Sequence, residues 1–146
     1  MTGYAIYRGP TRKQPETVNL PVAGAYLPGL LVVASDTALT AAVAADGVNE
    51  LHVLTNIDFN NQTITTAYTS GDTGSAYQAV PGETYQVQMA AGTYAVNAAL
   101  TVDANGRLAA AGLDAPIVAY CKQAGTFTAG QLADAVIANR VRAADA

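Results

Sequence analysis

Turn signals recur along this chain about every eight to twelve residues, and the stretches between them are too short for long helices. Pro28-Gly29, Asp46-Gly47, Ser70-Gly71-Asp72, Pro81-Gly82, Ala91-Gly92 and Asn105-Gly106 punctuate the text. Asn105-Gly106 is the strongest hairpin signal among them, because both central residues of a tight hairpin turn must accept positive φ. Between these marks lie short β-prone runs: Thr17 to Leu20, the apolar Leu30 to Ala34, Glu50 to Thr55, the Thr-rich Thr63 to Tyr68, and Ser75 to Val80. Thr84 to Met89 sets Tyr85, Val87 and Met89 against Thr84, Gln86 and Gln88, the pattern of a strand buried on one face. Tyr94 to Val96, Leu100 to Val102, Arg107 to Ala110 and Pro116 to Lys122 continue the series, and Ala135 to Val141 is expected to close the sheet. Thr37 to Ala45 has helical propensity, with Asp36 as a cap and Asp46-Gly47 as a stop. Its position between β runs favours strand. Thr128 to Ala133 fits a single helical turn. The expected fold is all-β: one small domain at residues 17–146, either a β-barrel or a jelly-roll-like sandwich.

Residues 1–16 read differently. Pro10 and Pro15 oppose helix and central strand alike, yet Tyr4, Ile6 and Tyr7 are not the residues of a merely solvated tail. Arg8, Arg12 and Lys13 add positive charge and no acid accompanies them. From Gln14 to Cys121 nine acids face Arg107 alone, a net of −8. An acidic body argues against a nucleic-acid face, which needs clustered Lys and Arg. An extended basic, aromatic arm suits docking on an acidic protein surface or adding a strand to a neighbour.

The core is built from small side chains. Hydrophobic residues make up 51 % of the chain, with no Trp and only two Phe, and charged residues 12 %, against about 25 % in an ordinary soluble domain. Ala and Val bury little area each, so burial against further copies or other subunits is expected to supply part of the stability. No signal peptide and no run of about 18 apolar residues is apparent, so a soluble protein made in a reducing compartment is expected, without a membrane partner.

Catalytic chemistry finds little to work with. His52 is the sole histidine, and Cys121, the sole cysteine, sits in the β-like run Ile117 to Cys121, the setting of a buried inert thiol. No nucleophile–histidine arrangement and no zinc-ligand spacing can be drawn from these. Asp36, Asp46, Asp58, Asp72, Asp103 and Asp114 stand in turn contexts, where Asp bonds its own backbone. Asp58, Asn60 and Asn61 suggest a calcium loop, but Thr63 and Thr69 occupy the positions that require Gly and Glu. Phosphate-loop glycine spacing is missing. Gly92-x-x-x-Val96-x-x-x-Leu100 is a hairpin pattern shared with biotinyl and lipoyl carriers, yet the nearest lysine is Lys122, out of place for a swinging arm. A protein that is not an enzyme, with no metal and no cofactor, is expected.

The order Pro81-Gly82-Glu83, Met89-Ala90-Ala91-Gly92, Ala99-Leu100, Asn105-Gly106-Arg107-Leu108, Pro116-Ile117-Val118-Ala119-Tyr120 and Asn139-Arg140-Val141-Arg142 resembles the head decoration (cement) proteins of tailed bacteriophages. Pro28 to Ala34 and Leu51-His52-Val53-Leu54-Thr55 extend the resemblance upstream, so that it runs from Val18 to Arg142. The resemblance implies a virion protein on the outer surface of the capsid, made in the host bacterial cytoplasm. It would bind between subunits of the major capsid protein as a trimer, alternatively a dimer, and stabilise the expanded head. The arm is longer and richer in Tyr than a minimal cement protein needs. Tyr4, Ile6, Tyr7, Arg8, Arg12 and Lys13 are the expected capsid contacts. The competing expectation is a carbohydrate-binding or host-adhesion module on the virion, which eight tyrosines permit. A small β-barrel enzyme is a third, disfavoured by the single histidine and the scattered acids.

Overall fold

The computed structural model describes residues 6–9, 15–57 and 62–138. Among them are thirteen strands and one 3-10 helix, and no α-helix. The strands are β1 (Tyr7–Gly9), β2 (Thr17–Pro21), β3 (Leu31–Ala34), β4 (Leu39–Ala41), β5 (His52–Thr55), β6 (Thr73–Gln78) and β7 (Thr84–Gln88). They continue with β8 (Gly92–Tyr94), β9 (Ala99–Val102), β10 (Leu108–Ala110), β11 (Ala119–Cys121), β12 (Gly125–Phe127) and β13 (Leu132–Ile137); the helix is η1 (Ala44–Val48).

A six-stranded sheet runs β1-β7-β13-β11-β9-β10, a five-stranded sheet runs β2-β6-β5-β3-β4, and β12 and β8 form a separate ribbon. Neighbouring strands pair antiparallel throughout. The sheets do not close on themselves. The protein is a sandwich-like all-β domain, and the barrel alternative is set aside. Period-two alternation divides the apolar residues between two clusters. Leu31, Leu51 and Val53 from the five-stranded side meet Val87, Leu100, Leu108 and Ala135 from the six-stranded side in the main core. Val32, Leu54 and Ala76, on the opposite face of the five-stranded sheet, form a second cluster with Val22, Leu30, Leu39 and Tyr68. Both faces of β5 are therefore covered, and all four of its residues are buried.

Several local expectations change. The face of β7 expected to be wet is buried: Gln86 and Gln88 are 1 % and 3 % exposed. The Leu27–Leu30 segment meets Gln88, whose Nε2 donates to the Leu27 carbonyl at 3.0 Å. Gly29 accepts from the Gln88 amide at 2.9 Å and donates to the Leu54 carbonyl at 2.7 Å, bridging the two sheets. Thr63 to Tyr68 forms turns in place of a strand, because Thr63 Oγ1 bonds the hydroxyls of Thr65 and Thr66 at 3.0 and 2.9 Å and offers the chain a local alternative to a ladder. Thr37 to Ala45 is strand only over β4. Beyond it Asp46 accepts from the Val43 amide at 3.0 Å and the chain winds into η1. Thr128 to Gln131 is a turn, and Leu132 already begins β13, which lies in the interior of its sheet between β7 and β11 and not at a closing edge. The β9–β10 connection is not a two-residue turn. It spans Asp103 to Arg107, with positive φ at Gly106 only (+76°), and Asp103 Oδ1 accepts from the amides of Asn105 (2.8 Å) and Arg107 (3.0 Å).

Candidate functional site

His52 begins β5 and shares the face of Leu54, which explains why it is 5 % exposed. Its Nε2 lies 3.7 Å from Glu50, and its Nδ1 has no hydrogen-bond partner among the described residues. Burial lowers the imidazole pKa below 6.5, and the Glu50 carboxylate opposes this in part. The unfolded chain takes up that proton near pH 6.5 while the folded chain resists it, so acid favours unfolding. The urea midpoint is therefore expected to fall between pH 7.5 and pH 5, and His52→Gln is expected to flatten that decline. Equal declines in the two proteins would count against a buried neutral His52.

Cys121 is buried in β11 and its Sγ lies 3.1 Å from the Gln123 carbonyl, a structural setting for a thiol. The acids serve their own turns. Asp46 accepts from Val43 and Asn49, Asp72 from the Thr69 amide and Asp103 from two amides. Asp58, Asn60 and Asn61 lie outside the described residues. Among those described, no group of three His, Cys, Asp or Glu side chains is placed to hold a metal ion, and no helix is long and apolar enough to cross a membrane.

The expected arm contacts divide. Tyr4, Arg12 and Lys13 lie outside the described residues. Ile6 is 1 % exposed within the main core, and its carbonyl accepts from the Gln86 amide at 2.6 Å. Tyr7 pairs with Tyr85 in the β1–β7 register, with its ring 5.4 Å from that of Tyr85 and 5.9 Å from that of Tyr77. Arg8 points to solvent, 3.6 Å from Asp134. The structure thus brings Ile6 and Tyr7 together in the chain's own core and leaves Arg8 on the surface of edge strand β1, beside Asp134 of β13.

Exposed apolar residues are the other surface feature, and the sequence reading did not single them out. Val43 precedes η1 and Val48 ends it, the helix's Gly47 abuts Pro116, and Leu113, 95 % exposed, stands three residues before that proline. Leu27 lies apart from them, on the segment that bridges the sheets. An isolated apolar residue at a turn tip carries no sequence signal that separates it from a core residue.

No protein-family model and no curated protein sequence matches the chain. Among solved structures it is similar to the head fiber gp8.5 N base of bacteriophage phi29, with a TM-score of 0.58 and 14 % identity. The likeness is one of fold. It covers 86 % of this chain and 95 % of that one, so it embraces the sandwich as a whole and not one hairpin within it.

Proposed function

We propose that this chain is a structural protein of a tailed-phage head, bound to the outer surface of the capsid between subunits of the major capsid protein. The observation that carries the reading is the likeness of its fold, over most of both chains, to a phage head-fibre base. The sequence resemblance to head decoration proteins points the same way. In this reading the protein is not an enzyme. It self-associates as a trimer, alternatively a dimer, in keeping with its Ala-rich core and the exposed Val43, Val48 and Leu113. Many weak contacts repeated by the symmetry of the shell add to a strong attachment. A sugar-stacking surface is less well supported: Tyr4 lies outside the described residues, and of the remaining tyrosines only Tyr120 is exposed.

The test is co-sedimentation with empty expanded capsids, with sedimentation of the free protein to give its oligomeric state. Saturable pelleting with expanded shells is the expected result. Deleting residues 1–16 would take Ile6 from the core, so the arm is better probed by neutralising Arg8, Arg12 and Lys13 together. That triple variant is expected to bind about tenfold more weakly near physiological salt, with its melting point little changed. Failure to pellet, or binding to glycans with indifference to capsids, would overturn the proposal.

A further inference from the structure

Arg107 is the one basic residue between Gln14 and Cys121, and the structure holds its side chain in place. Its turn is pinned to the other sheet, since the Leu31 amide donates to the Gly106 carbonyl at 2.9 Å. Its Nε donates to Gln88 Oε1 at 3.2 Å. Gln88 is 3 % exposed, and its Nε2 donates to the Leu27 carbonyl at 3.0 Å. That second bond fixes which end of the amide faces the guanidinium: the nitrogen must serve Leu27, so the oxygen must serve Arg107. A buried amide therefore orients the charged head. The ion pairs among the described residues are Arg8–Asp134 and His52–Glu50, so no described carboxylate neutralises Arg107. The nearby Asp103 is already engaged by two amides of its own turn.

Arg107 and its partner Gln88 line a cleft of about 310 Å³, together with Tyr26, Leu27, Leu30, Ala41 and Asn105. Leu27 is 40 % exposed at this cleft. One preorganised fork of donors beside aliphatic walls matches a single carboxylate with an apolar neighbour. The surrounding body, with nine acids, repels a polyanion such as a nucleic-acid backbone. We propose that this cleft binds an Asp or Glu side chain, presented next to an aliphatic residue on a loop of a protein partner. The site stands on this geometry and does not depend on the virion reading.

The probe is N-acetyl-leucyl-aspartyl amide, titrated while the Arg107 Nε–H and Gln88 side-chain amide resonances are followed by NMR. A saturable shift of both is expected, with the asparaginyl counterpart at least about fivefold weaker. Arg107→Met, at a half-buried side chain, is expected to abolish saturation while leaving the rest of the backbone spectrum in place. Absence of a shift, equal affinity for the asparaginyl peptide, or saturation retained in Arg107→Met would overturn the assignment. Inorganic phosphate binding as tightly as the peptide would overturn it as well, and so would an alanyl-aspartyl amide that binds equally well.

Discussion

Replacing Gly106 by alanine is expected to cost about 3–4 kcal/mol, a large share of the about 5–15 kcal/mol that holds a domain folded. Two penalties add. Gly106 has φ +76°, a left-handed backbone that costs an L residue roughly 1–2 kcal/mol. A Cβ there would also stand 2.8 Å from the Leu31 carbonyl oxygen. That atom is main chain, in a strand whose neighbouring amide is bonded to Gly106 itself, so it cannot step aside cheaply. Overpacking of this kind adds roughly 1–3 kcal/mol. Gly82 is the control: its φ is +87°, but nothing lies within 4 Å of a Cβ built there. Gly82→Ala is expected to cost about 1–2 kcal/mol, the backbone penalty alone. Urea midpoints at constant m-value measure both. Equal losses would mean that the β9–β10 turn is not pinned to β3.

Tyr85→Phe is expected to cost about 2 kcal/mol at neutral pH and progressively less in alkali. The Tyr85 hydroxyl donates to the Gln78 carbonyl at 2.7 Å and accepts from the Val80 amide at 3.1 Å, clamping the β6–β7 connection. Phenylalanine keeps the ring packed beside Tyr7 and Tyr77 but strands both main-chain groups. The same phenol is costly to ionise in place. Burial drives its pKa well above 10, with the Glu83 carboxylate adding to the shift and the Val80 amide opposing it. The unfolded chain loses that proton near pH 10 while the folded chain keeps it. Stability therefore falls as pH rises past about 10. The variant lacks this loss, although Tyr68 and Tyr94, whose pKa values are also raised by burial, still contribute theirs. The gap between the two urea midpoints should narrow from pH 8 to pH 11. A constant gap would show that the phenol is not held neutral by the fold.

What the sequence made legible follows the range of the physics involved. The alternation of Tyr85, Val87 and Met89 and the hairpin at Asn105-Gly106 are local patterns, and both mark real elements. Gln88 is held by Leu27 and Gly29, about sixty positions away in the chain, and no local pattern announces its burial. Polar residues at alternate positions of a strand ordinarily mean a wet face. Thr63 to Tyr68 has the composition of a strand, but its hydroxyls satisfy one another and the adjacent backbone. Ala133 and Ala135 are so small that an interior strand reads as an unremarkable Ala-rich run. Of the Arg107 cleft, the sequence showed only a lone base in an acidic body. The amide that aims it lies nineteen residues earlier, at the end of β7.

The place of β13 has a kinetic meaning. Leu132 to Ile137 is the last described strand to be synthesised, yet it separates β7 from β11 and hydrogen-bonds to both. Until it leaves the ribosome, the six-stranded sheet has a gap at its middle, and β7 and β11 each present an unpaired edge. Closing that gap joins residues about fifty positions apart, a high contact order that places the folding of such domains on a timescale of roughly milliseconds to seconds. The nascent chain thus assembles this sheet only after Ile137 has been synthesised.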